Sequence, residues 1–106
     1  MATAISGSGP AYIFLIMEAL TDAAVHIGLP RKLAEELVNQ TVLGSAYMSR
    51  ETRKHPAELK NMVTSPGGTT AEGLLRLEQG GVRAILAQAV IAAYEKAQRL
   101  GGQSSK

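Results

Sequence analysis

The sequence contains no cysteine. That excludes a disulfide scaffold, thiol catalysis and thiolate metal sites. Aromatic residues are scarce as well, with three Tyr, one Phe and no Trp among 106 residues. A core must then be built from Ala, Leu, Ile, Val and Met, and small side chains let helices approach closely. No aromatic residues interleave with a basic patch, which argues against stacking on single-stranded nucleic acid. Neither sign of charge dominates: 11 basic and 9 acidic residues leave +2, too even for a nucleic-acid footprint. Long apolar runs are missing too. The longest early run, Ala11 to Met17, is ended by Glu18 and is too short to span a bilayer. No basic segment followed by a cleavable apolar run marks a signal peptide. Neither a membrane nor nucleic acid is expected as a partner, and a cytoplasmic location is expected. No βαβ pattern or Gly-x-Gly-x-x-Gly occurs, so no dinucleotide-binding (Rossmann) domain is expected in this chain. His26 and His55 have no neighbours at metal-ligand spacing, so no metal site is expected and both are read as structural or exposed. There is no internal repeat.

What is present is a helical pattern in 45% hydrophobic residues, enough for one folded domain over residues 1–106. We read about five helices. The first opens at Pro10, capped by Ser8 or Gly9, carries Ile13, Ile16, Met17, Leu20, Ala24 and Ile27 at helical spacing, and ends at Gly28. The second opens at Pro30 and runs to about Met48 or Glu51. Gly44 inside it costs ~1 kcal/mol against Ala unless close packing requires it. A third, short helix spans Pro56 to about Met62. The fourth begins at Thr69, where Thr69 and Glu72 have the spacing of a capping box, and stops at Gly80-Gly81. The fifth runs from about Val82 to Leu100 with Gly101 as its stop, followed by a disordered tail to Lys106. The stretch Ser6-Gly7-Ser8-Gly9 reads as a linker. Glu18 and Asp22, four apart, read as a solvated or salt-bridged face; Tyr12, Tyr47 and Tyr94 read as packing residues.

From Ala84 to Tyr94 the only strongly polar residue is Gln88. A helix apolar on nearly every face must be enclosed on nearly every face. A chain of this size cannot wrap its own helix so fully, and the Tyr12-Ile13-Phe14-Leu15-Ile16-Met17 run makes the same demand. The expected architecture is therefore all-α, with a second chain covering part of both helices.

Hydroxyls, glycines and one proline are concentrated in Val63-Thr64-Ser65-Pro66-Gly67-Gly68-Thr69-Thr70. Glycine permits backbone angles closed to other residues, and the loop delivers the chain to a helix start, where unpaired N–H groups and the helix dipole favour an anion. Ser65, Thr69 and Thr70 add hydroxyl donors. A simple turn and cap accounts for the same residues. No nucleophile has a base beside it, so this chain holds only part of an active site.

Ser6-Gly7-Ser8-Gly9-Pro10-Ala11-Tyr12, Gly28-Leu29-Pro30-Arg31, Glu58 to Thr70 and Leu77-Glu78-Gln79-Gly80-Gly81-Val82-Arg83 resemble the C-terminal domain of the pyrroline-5-carboxylate reductase family, over about Thr3 to Leu100. The resemblance implies an oxidoreductase of proline biosynthesis that reduces 1-pyrroline-5-carboxylate to L-proline with NADPH or NADH. It implies an interleaved helical bundle, an obligate homodimer that assembles into decamers in many members, and an N-terminal nucleotide-binding domain that is absent here and would hold most of the cofactor. On the same basis Ser65, Gly67, Gly68 and Thr69 would bind the substrate carboxylate. Thr70 would bind substrate near the ring nitrogen and the nicotinamide as the catalytic hydrogen-bonding group, with the proton donor to the imine left open. The isolated fragment is expected to be inactive. Met62 stands where some members have asparagine, which speaks against a polar cofactor contact from that position. The alternative reading is a non-catalytic helical homo-oligomerisation or protein-interaction module. A third, the helical half of another nucleotide-dependent dehydrogenase, is disfavoured by the loop sequence.

Overall fold

Proline and glycine set the boundaries of the helices. In the computed structural model, which describes residues 1–104, the elements are α1 (Thr3–Ser6), α2 (Gly9–His26), α3 (Arg31–Thr52), α4 (Pro56–Met62), α5 (Thr69–Gln79) and α6 (Val82–Ser104), with no strand among the described residues. The five expected helices are all present. Pro30 supplies an extended residue (φ −58°, ψ 142°) directly ahead of α3, and Pro56 opens α4 at its first position. Gly28 and Gly81 take positive φ (117° and 77°) where α2 and α5 are turned back.

Four local expectations are corrected. Ser6 to Gly9 is not a linker: Thr3–Ser6 forms a helical turn, held by the Ser6 hydroxyl donating to the Ala2 carbonyl at 3.0 Å. There a Cβ on Gly7 would lie 3.0 Å from Thr3, so the glycine is a packing requirement. The Thr69–Glu72 capping box does not form. Thr69 is already helical, and Glu72 reaches forward to Arg76 at 3.8 Å, the favoured i, i+4 orientation of an ion pair. Gly101 does not stop α6, which runs through it and Gly102 to Ser104, although each glycine costs ~1 kcal/mol in a helix. The disordered tail expected from Gly101 is thus helical as far as Ser104, and residues 105 and 106 lie outside the described residues.

The fourth concerns the apolar N-terminal stretch. Thr3–His26, 24 residues, is long and apolar enough by length and composition to cross a membrane. The unbroken run Ala11–Met17 understated it, because a helix tolerates Glu18 and Asp22 within its length.

The chain divides into two units, residues 1–13 with 72–106, and residues 14–71. In the first, α1 packs on α6 and the Tyr12 hydroxyl donates to the Ala89 carbonyl at 3.3 Å. In the second, α2 and α3 are tied across the Gly28-Leu29-Pro30 turn by Arg31 and Asp22 at 3.1 Å. Neither unit closes a core of its own. Among the described residues Ala4 is the buried apolar side chain of one, and Ala34 and Val38 those of the other. Phe14 (66% exposed), Leu15 (64%) and Ile85 (60%) lie open.

Candidate functional site

The hydroxyl and glycine loop lies in the second unit, between α4 and α5. α4 reaches it in a fixed way. His55, directly before Pro56, caps the helix with its imidazole: the Ala57 N–H donates to Nδ1 at 3.0 Å. That bond requires Nδ1 to be the unprotonated nitrogen. The helix leaves at Val63, whose N–H points back to the Lys60 carbonyl at 3.3 Å, followed by Thr64 N–H to Asn61 at 3.1 Å.

Ser65-Pro66-Gly67-Gly68 then forms a tight turn, closed by Gly68 N–H donating to the Ser65 carbonyl at 3.0 Å. Pro66 in the second position and Gly67 at φ 70° in the third are the composition of a type II turn. The two glycines serve different needs. Gly67 has open space around a would-be Cβ but a left-handed backbone, whereas a Cβ on Gly68 would lie 3.3 Å from both Cβ and the carbonyl oxygen of Ser65. The Gly68 N–H is committed to the turn, which leaves its successors as the amides open to a ligand. Thr69 and Thr70 open α5 and have no acceptor for their N–H groups within the helix.

The four hydroxyls of the loop divide in the same way. Thr64, half-buried, donates to the Lys60 carbonyl at 2.6 Å. Ser65, Thr69 and Thr70 are exposed and make no side-chain hydrogen bond among the described residues. Three hydroxyls and two helix-start amides thus fall within six consecutive residues, on a turn whose shape is set by main-chain bonds. This is a donor-rich, uncharged arrangement suited to a small carboxylate. Two cationic side chains lie close in sequence: Lys60 on α4, and Lys54, whose Nζ sits 3.9 Å from Met62 Sδ. Beside the loop, Met48, Ser49, Pro56, Leu59 and Val63 line a largely apolar groove of about 280 Å³.

Other candidates separate from the loop. Asp22 is held by Arg31, while Glu18, Thr21, Lys32 and Glu36 line an open polar cleft of about 490 Å³ between α2 and α3. Thr21, buried there, gives its hydroxyl to the Met17 carbonyl at 2.8 Å. His26 ends α2, exposed. The cap made by His55 was not anticipated; its signal was the position immediately ahead of a helix-opening proline. The internal bond of Thr64 has a weaker signal, a threonine four residues after a carbonyl near a helix end.

Residues 1–100 match the family model for pyrroline-5-carboxylate reductase dimerisation. The pyrroline-5-carboxylate reductase of Synechocystis is 54% identical over 99 residues, 93% of this chain and 37% of that protein. That of Arabidopsis thaliana is 57% identical over 98 residues, 92% of this chain and 36% of that one. Among solved structures, the Plasmodium falciparum pyrroline carboxylate reductase with NADP bound superposes with a TM-score of 0.91 at 46% identity, covering 94% of this chain and 40% of that one. The Coxiella burnetii pyrroline-5-carboxylate reductase gives 0.91 at 50%, covering 93% and 37%. The chain spans little more than a third of the length of these curated relatives. It belongs to the pyrroline-5-carboxylate reductase family, whose dimerisation domain it contains.

Proposed function

We propose that this chain is the dimerisation and substrate-carboxylate-binding part of an NAD(P)H-dependent reductase that converts 1-pyrroline-5-carboxylate to L-proline. The observation that carries the proposal is the Ser65–Thr70 loop, with three uncommitted hydroxyls and the first amides of α5, in a chain of this family. The substrate carboxylate would accept from Ser65, Thr69 and the amides of Thr69 and Thr70. Gly67 and Gly68 shape the turn and let the ligand approach the main chain. Thr70 would reach the ring nitrogen as a hydrogen-bonding group.

The residues of this chain do not fit a dinucleotide. No strand occurs among those described and no Gly-x-Gly-x-x-Gly occurs in the sequence. NADPH or NADH, the source of hydride, would therefore be held by a separate N-terminal domain, and residues 1–106 alone would not reduce the substrate.

Two copies would share one helical body. A folded monomer of 11.2 kDa is expected to expose about 5,700 Å², and this chain exposes 8405 Å². A second copy would cover part of the apolar share of that surface. A bilayer is a poorer cover for the N-terminal helices, because Glu18 lies about one turn from the middle of Thr3–His26 and a charge near the centre of a membrane costs several kcal/mol. Higher assembly to a decamer would build on the dimer.

Two measurements test the proposal. In the reductase polypeptide carrying these residues behind a nucleotide-binding domain, Thr70→Ala is expected to lower kcat/KM for 1-pyrroline-5-carboxylate at least tenfold. An unchanged rate removes Thr70 from the mechanism. The rival reading, an interaction module in which the same apolar faces bind a different helical protein, predicts that proline or a cyclic carboxylate leaves the amide resonances of Gly67 to Thr70 unmoved. We expect them to shift.

A further inference from the structure

We infer that Thr64 is a positioning residue for the carboxylate loop, acting through its hydroxyl and not through contact with the ligand. The inference rests on the reading of Ser65–Thr70 as the carboxylate site.

Threonine hydroxyls that donate to the carbonyl four residues back occur elsewhere in this chain: Thr21 to Met17 at 2.8 Å, Thr41 to Leu37 at 2.7 Å and Thr52 to Met48 at 2.8 Å. Thr21 and Thr41 lie inside helices, where the main-chain ladder already fixes the backbone and the extra bond changes little; Thr52 is the last residue of α3, and its hydroxyl also accepts from the Lys54 N–H at 3.3 Å, at a helix end that leads to no donor-rich loop. Thr64 differs in place. It stands beyond the end of α4, after the helix has closed at Val63, and its own N–H has moved to the Asn61 carbonyl at 3.1 Å. The i to i−4 main-chain bond that would have continued the helix is gone. The hydroxyl takes over that link at 2.6 Å to Lys60, sharing the carbonyl with the Val63 N–H at 3.3 Å.

The consequence falls on the next residue. Ser65 supplies both a free hydroxyl and the carbonyl that closes the turn with Gly68. Its orientation relative to α4 is set through the single φ/ψ pair of Thr64 and the peptide that follows. With Thr64 tied to Lys60, the turn is anchored to a helix that His55 caps at its other end. Without the tie, Ser65 and the start of α5 would sample several orientations, and ordering them would be charged against ligand binding. The expected effect is therefore on affinity for the carboxylate substrate, with little effect on turnover once it is bound.

The test uses the reductase polypeptide carrying these residues behind its nucleotide-binding domain. Thr64→Val removes the hydroxyl at nearly constant volume, and Thr64→Ala is a second hydroxyl-less variant in case valine does not pack. Either is expected to raise KM for 1-pyrroline-5-carboxylate about three- to tenfold, with kcat and KM for the nucleotide within twofold of the parent. Thr64→Ser, which keeps the hydroxyl, is expected to restore KM to within twofold. An unchanged KM in a folded hydroxyl-less variant overturns the inference. So does a serine variant as impaired as valine, which would assign the effect to the lost methyl group. A parent polypeptide that binds nucleotide but does not reduce 1-pyrroline-5-carboxylate overturns the underlying functional reading, and this inference with it.

Discussion

At Gly67 the main chain turns with φ at 70°, a conformation in which a Cβ costs an ordinary residue about 1–2 kcal/mol. Gly67→Ala is therefore expected to lower stability by about 1 kcal/mol in a urea titration, and Gly67→Asn by less, since asparagine tolerates the left-handed region. Gly68 fails for another reason. Its substitution to alanine would press on Ser65 at 3.3 Å, so Gly68→Ala should move the Ser65 resonances and weaken carboxylate binding by more than it lowers stability. Both glycines could be seen in the sequence as a tight turn before a helix. Their separate roles could not, because one depends on a dihedral angle and the other on the approach of Ser65. The same holds for the hydroxyls. Composition marked Ser65, Thr69 and Thr70 as donors, but only the fold shows that Thr64 spends its hydroxyl on Lys60 and that Gly68 spends its N–H on Ser65.

Among the elements, α4 shows how local chemistry makes a short helix usable. Seven residues are too few to be helical alone, and α4 holds no buried residue, so its ends matter. Loss of the imidazole cap in His55→Ala should cost about 1 kcal/mol by thermal or urea denaturation. His55→Asp should cost less, because a carboxylate both caps and favours the positive end of the dipole. The α5–α6 turn is held by Arg83 and Glu78, whose guanidinium Nε and carboxylate oxygens lie 2.9 Å apart. The hydrogen bond that Arg83 donates to Glu78, and then the Glu78 charge, raise the Arg83 guanidinium above its ordinary value. A raised group contributes fully below its unfolded value and loses that contribution only as pH rises through the folded one. The window lies far on the alkaline side of neutrality, so the stability difference between the parent and Arg83→Gln should stay flat from about pH 6 to 9. Added salt should shrink it, since the pair is exposed. The helices themselves were legible because Pro30 and Pro56 open them and Gly28 and Gly80-Gly81 close them. Gly101 misled, since a glycine stops a helix only when the next residue turns away, and here the chain continues as helix.

For the whole molecule the governing fact is how little one copy encloses. Large apolar side chains on α2 and α6 stay open in the single chain, and a second copy is the cover this composition calls for. Light scattering at micromolar concentration should give twice the chain mass, and the thermal midpoint should rise with concentration. Replacing Phe14 or Leu15 with Asp should abolish the dimer and with it most of the cooperative unfolding, because an unpaired charge in an apolar interface costs several kcal/mol. A monomer that melts cooperatively at unchanged temperature would contradict this.

The sequence alone determined the helical class, the order of the helices, the place of the loop and the need for a partner. These follow from apolar spacing, from prolines and glycines at fixed points, and from more apolar surface than a chain this small can hide. The tertiary structure decided which donors of the loop are free and which are committed. It also decided that α1 is helix and that Glu72 pairs forward with Arg76. Those outcomes turn on distances of a few tenths of an ångström between groups that compete for the same acceptor, and residue type does not encode which competitor is nearer.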